Sequence, residues 1–159
     1  MEEVIYIKVV IGCLNAKYVH ASLAPWCLKA GINEYCKGNI NAKVMEATIN
    51  SNIHEYIKDI IAEKPDIVCF SCYIWNIELT LDICKTLKNA LNCKIVLGGP
   101  EVSYRAENVL ESYDVIDIVL SGEGEESLPK LLDIIYFKND LSTADGVTYR
   151  SDKKILHTD

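Results

Sequence analysis

Three short stretches combine polar tips, flat rings and missing β-carbons where a strand gives way to a helix: Ser71-Cys72-Tyr73-Ile74-Trp75, Gly98-Gly99-Pro100-Glu101 and Gly122-Glu123-Gly124-Glu125. Ser71 offers a hydroxyl to a ring nitrogen or a phosphate oxygen, and Tyr73 and Trp75 add flat apolar area with polar tips. Gly98 and Gly99 allow the backbone to approach a flat ligand closely or to adopt positive φ, although a tight turn ahead of Pro100 would also use them. Glu123 and Glu125 complement a helix amino end and argue against a phosphate held by that loop. Such junctions suggest a long crevice for a bulky, partly planar ligand and say little about catalysis.

The remaining reactive side chains carry weaker signals. Cys69 and Cys72 form a Cys-x-x-Cys pair at the end of a strand, with no second pair at ligand spacing. A redox dithiol needs a helix amino end, and structural zinc needs four ligands. Cys69 is expected in the core, and Cys72, pointing the other way, toward the crevice. A nucleophilic Cys72 would need a base, for which only the remote His20 is on offer. His20 precedes the first helix and is a candidate ligand contact, whereas His54 merely starts the second helix. No metal ligand and no catalytic residue is expected in this stretch.

The elements that must position these residues follow from apolar spacing. Predicted strands cover residues 4–11, 42–47, 66–71, 94–97 and 116–120, with 12–15 as a turn after the first. Predicted helices cover 22–36 with Ser22 as cap, 53 to the residues before Pro65, 76–91 with Asn76 as cap, 104–111, and 125 or 127 to 136. Five strands alternating with five helices imply a doubly wound α/β fold of the Rossmann-like or flavodoxin-like kind, its parallel sheet in the order 2-1-3-4-5. Residues 145–150 and 154–157 read as a β-hairpin with little core of its own. The expected organisation is one domain over 1–140, with 141–159 a hairpin or linker at a boundary or truncation.

Composition narrows the partners. The 159 residues are half hydrophobic and carry a formal net charge of −7, which disfavours nucleic acid and anionic membrane surfaces. Seven cysteines, an odd number, and the acidic Glu2 and Glu3 in place of a secretory leader predict free thiols in a reducing cytoplasm. Other functions of this fold lack their signatures. A phosphoacceptor receiver needs an aspartate after the third strand, a flavodoxin a hydroxyl-rich phosphate loop after the first, and a dinucleotide-binding domain a Gly-x-Gly-x-x-Gly turn there.

Leu14 to Leu23, Phe70 to Asn76, Leu97 to Ser103 and Gly122 to Glu126 together resemble the amino-terminal cobalamin-binding-type domain of B12-dependent radical S-adenosylmethionine proteins. The resemblance covers about residues 4–137, and the hairpin is similar to the linker these proteins place before a catalytic barrel. It implies a corrin lying across the carboxy edge of the sheet, with the dimethylbenzimidazole tail in a slot between sheet and helices. Ser71 matches the serine beside that tail, and Gly98 and Gly99 match the glycine pair. The loops from Asn15 to His20 and from Tyr73 to Asn76 would approach the corrin. Candidate cofactor contacts are therefore Asn15, His20, Ser71, Cys72, Tyr73, Trp75, Gly98, Gly99, Pro100, Glu101, Gly122 and Gly124.

Two departures qualify the resemblance. The Asp-x-His-x-x-Gly motif, whose histidine ligates cobalt in the wider fold, is missing, which implies cobalamin bound without histidine ligation or a domain that has lost it. The Cys-x-x-x-Cys-x-x-Cys motif of the [4Fe-4S] cluster is also missing from these residues, so S-adenosylmethionine cleavage, methyl transfer or ring rearrangement would belong to a barrel in the full-length protein. The competing reading is a non-catalytic domain of the same fold that docks a partner through Tyr73, Trp75 and the glycine-rich loops.

Overall fold

The computed structural model describes residues 4–17 and 22–159. Five parallel strands form its centre: β1 (Ile7–Asn15), β2 (Ile40–Thr48), β3 (Ile67–Ser71), β4 (Lys94–Gly98) and β5 (Ile118–Leu120). Their order is β2-β1-β3-β4-β5, as alternating strands and helices predict. The crossovers are α1 (Ala24–Tyr35), α2 (Ile53–Glu63), α3 (Ile77–Ala90), and α4 (Pro100–Ser103) with α5 (Ala106–Ser112). The last helix, α6 (Gly124–Tyr136), follows β5.

Alternation along each strand sends its side chains to two cores. Val68, Phe70 and Cys72 point to the α2, α3 and α5 side, with Ile60, Leu87 and Leu110. Ile67 and Cys69 point to the α1 and α6 side, with Ile32, Leu128 and Leu132. Burial on both faces explains why β3 reads as an unbroken apolar run.

Three local expectations are corrected. Residues 12–15 continue β1, in register with β2 as far as Asn15↔Thr48. Gly12 is needed there for packing and not for turning: a β-carbon would sit 2.2 Å from the Phe70 ring and 2.9 Å from the Tyr56 hydroxyl. The helix predicted over 104–111 is α5, which starts two residues later at Ala106, and a separate short helix, α4, precedes it from Pro100 to Ser103. Neither Ser22 nor Asn76 caps a helix with its side chain: α1 begins after Leu23 with a proline in its first turn, and Asn76 turns its amide elsewhere.

The hairpin is part of the sheet. β6 (Val147–Ser151) pairs antiparallel with β5, and β7 (Lys154–His157) pairs antiparallel with β6. Val147 and Thr148 are fully buried, so this segment supplies core that sequence reading does not credit to it. Two reversals leave β7 running in the direction of β1 to β5, and Asp159 lies at their carboxy edge, where its carbonyl accepts from the Gly146 amide at 3.2 Å.

Candidate cofactor site at the carboxy edge

A cavity of about 170 Å³ opens at the carboxy ends of β3, β4 and β5 and runs between the sheet and the α1/α6 layer. Cys69, Ser71, Val96 and Leu120 form its sheet wall, and Ala24, Leu28 and Leu128 its helical wall. Gly98, Gly99, Gly122 and Gly124 line its mouth, beside Tyr73 and Glu125.

The slot exists because α1 and α6 close its back. Pro129 lies inside α6 and has no amide to give the Glu125 carbonyl one turn earlier. Gly31 of α1 packs against that carbonyl, so closely that a β-carbon would come within 2.3 Å of the oxygen. Asp133 of α6 then accepts from the Lys37 and Gly38 amides at 2.9–3.0 Å, fixing the other end of α1.

The glycine pair divides its work. Gly98 leaves the wall low, while Gly99 has φ of 99° and a backbone so near Cys72 that a β-carbon would lie 2.6 Å from the Cys72 carbonyl. The Cys72 backbone is held on both sides, its amide donating to Gly98 at 2.7 Å and its carbonyl accepting from Glu101 at 3.2 Å. Gly122 also has positive φ, at 90°.

On the rim, Tyr73 and Trp75 stack with parallel planes and ring centres 4.6 Å apart. Asn76 holds their loop. Its amide nitrogen donates to the Leu14 carbonyl at 3.2 Å and the Ser71 carbonyl at 3.1 Å, while its oxygen accepts from the Tyr73 amide at 2.8 Å. The β1–β3 ladder stops at Gly12↔Phe70, so Asn76 fills the gap where the two strands part. That gap is the topological switch point, the usual crevice of this fold. With Asn76 in it, the open space lies on the far side of β3.

The cavity thus brings together Ser71, Tyr73, Gly98, Gly99, Gly122 and Gly124 of the residues expected from sequence. Trp75 joins through its stack on Tyr73. Pro100 starts α4 outside the cavity, and the Glu101 carboxylate is engaged by Arg105 at 2.8 Å. Asn15 lies on the other flank of the edge, in an acidic recess with Glu46, Glu55 and Asp59. His20 lies outside the described residues. His54 and His157 do not line the cavity.

Cys72 is corrected. It is fully buried among Ile77, Cys84, Leu97 and Val102, on the face opposite the cavity, and Cys69 lines the cavity instead. Strand parity explains the exchange: Cys69 and Ser71 share one face of β3. The two sulfurs of the Cys-x-x-Cys pair therefore lie on opposite faces, and both cysteines are free. Burial pushes the Cys69 thiol up to about 12, and burial together with the Glu101 carboxylate pushes Cys72 up to about 12. A nucleophile needs the thiolate, so Cys72 has neither access nor ionisation. No cluster of metal-binding side chains occurs among the described residues.

Sequence reading missed the helical wall, Val96 and Leu120; it placed Cys69 in the core, where it is, without its place on the cavity wall, and read Asn76 as a cap and not as the link between two strand ends. The wall residues occupy apolar stripes that look like ordinary core. Asn76 has a detectable signal, a polar residue where helix and apolar loop meet, but that signal equally fits a cap.

Comparisons with known proteins bear on the family and the fold. The family described as B12 binding domain matches residues 9–132. The chain is 29% identical over 132 residues to hopanoid C-3 methylase of Methylococcus capsulatus, covering 81% of this chain and 25% of that protein. It is 36% identical over 70 residues to the cobalamin-dependent radical SAM methyltransferase TokK of Streptomyces tokunonensis, covering 43% of this chain and 10% of TokK. Among solved structures, the cobalamin-dependent S-adenosylmethionine radical enzyme OxsB with aqua-cobalamin and S-adenosylmethionine superposes with a TM-score of 0.80 at 18% identity, over 96% of this chain and 22% of OxsB. The radical S-adenosylmethionine methyltransferase TsrM of Kitasatospora setae, with cobalamin and a [4Fe-4S] cluster, gives 0.79 at 16% identity, over 97% of this chain and 29% of TsrM. The chain therefore spans a quarter or less of these two curated relatives.

Proposed function

The chain belongs to the B12 binding domain family, and from that premise we propose that it holds cobalamin for a radical S-adenosylmethionine enzyme, with methyl transfer as the reaction class. The observation that carries the proposal is the cavity between the α1/α6 layer and the ends of β3 to β5, flanked by Ser71 and Gly98-Gly99. A flat, apolar tail fits its shape and lining, and a planar macrocycle fits an edge lowered by glycine and bordered by the Tyr73–Trp75 stack. When bound, cobalamin supplies a cobalt centre suited to carrying a methyl group.

The chain's own residues bind and orient. Ser71 presents a hydroxyl at the cavity wall, Gly98 and Gly99 admit close approach of a ring, and the Tyr73–Trp75 stack keeps water from one edge of the crevice. Asn15, His20 and Gly122 are proposed as outer contacts to the macrocycle, and Gly124 as part of the tail slot. Cobalt ligation by a histidine of this chain is not part of the proposal. S-adenosylmethionine and the [4Fe-4S] cluster are assigned to a following barrel, with 141–159 as the passage toward it, in keeping with the greater length of the relatives. No helix among the described residues is long and apolar enough to cross a membrane, and seven free cysteines fit a reducing cytoplasm.

Titration with hydroxocobalamin, followed by visible spectroscopy and co-elution, tests the proposal. Binding with a dissociation constant of tens of micromolar or below is expected, and an unchanged spectrum with no co-elution at about 100 μM counts against it. A second reading rests on the exposure of Ile74 and Tyr104, at 79% and 95%, on the same edge. Here the edge docks a neighbouring domain without cofactor, and a negative titration combined with retained binding to a separately supplied barrel would favour it.

A further inference from the structure

Resting on the cobalamin reading, we infer that the cavity selects the base of the nucleotide tail, accepting a hydrocarbon-edged base such as dimethylbenzimidazole and discriminating against a purine such as adenine. The polarity of the cavity is graded along its depth. Glu125 and Gly122 at the mouth are exposed and Ser71 is half-buried, whereas Cys69, Val96, Leu120 and Leu128 are at most 6% exposed. The buried end therefore meets a ligand with carbon and one sulfur.

Backbone groups do not supply the missing polarity. Val96 is paired with Cys69 on one side and Ile118 on the other, so the sheet ladder engages the main chain of this wall. The Cys69 thiol, held neutral by burial, is at most a weak donor. The amine and ring nitrogens of adenine would lose water there without gaining a partner, while the two methyl groups of dimethylbenzimidazole would gain apolar contact.

The test compares three ligands on the unmodified chain: hydroxocobalamin, its adenine-based analogue, and cobinamide, which lacks the base. Cobalamin is expected to bind at least about tenfold more tightly than either of the others. A smaller preference over the adenine form, or equal binding of cobinamide, overturns the inference while leaving corrin binding intact. Failure of all three to bind removes the cobalamin reading and this inference together.

Discussion

Asn76 engages both faces of its amide inside the protein, joining the ends of two strands that no longer pair with each other. Truncation strands two carbonyls and one amide in a buried place, and each such loss costs about 1–3 kcal/mol. Asn76→Ala is expected to lower stability by about 2–4 kcal/mol, read as a shift of the denaturation midpoint, and to change the fluorescence of Trp75 as its loop loosens. Unchanged stability would mean that the three hydrogen bonds are dispensable. At this scale the sequence was legible where chemistry is local. Ser71 and the glycines are recognisable as a hydroxyl and absent side chains at strand ends. The roles of Cys69 and Cys72 were not, because one step along β3 exchanges the faces and residue type alone does not set that phase.

The contact between α1 and α6 gives the cavity its depth, and it depends on one missing side chain and one missing amide. Gly31→Ala would push a methyl group against the Glu125 carbonyl, which is main chain and has little freedom to retreat. We expect a loss of about 1–3 kcal/mol in stability and a weaker grip on cobalamin, measured by denaturation and by the hydroxocobalamin titration. Apolar stripes made these helices readable from sequence, as did the strand order. Their mutual approach was not readable, because Gly31 and the Glu125 carbonyl that Pro129 leaves without a partner lie 94 positions apart and meet only through space. Gly12 misled for a related reason: a glycine after an apolar run suggests a turn, yet the Phe70 ring is what excludes a side chain there.

For the molecule as a whole, buried thiols set the response to alkali. Cys69 and Cys72 have folded values near 12 against an ordinary value of 9.0. Above pH 9 the unfolded chain releases these protons while the folded chain retains them, so their contribution is full below pH 9 and is lost as pH rises toward 12. Stability should fall by about 1.4 kcal/mol per pH unit for each thiol across that window, measurable by urea denaturation at stepped pH. Replacing both by alanine should remove their share of the slope and leave the part that Cys13, Cys36 and Cys84 contribute, since burial raises those thiols as well.

The hairpin has a consequence at the same scale. Its two reversals leave Asp159 hydrogen-bonded to Gly146, whose carbonyl in turn accepts from Ser121 at 2.8 Å, next to the Gly122 mouth. In the proposed arrangement, a barrel tethered to the hairpin on this edge would search the crevice at a local concentration in the millimolar range. Closure over the ligand would then require only a weak intrinsic affinity, and opening to exchange it could remain fast.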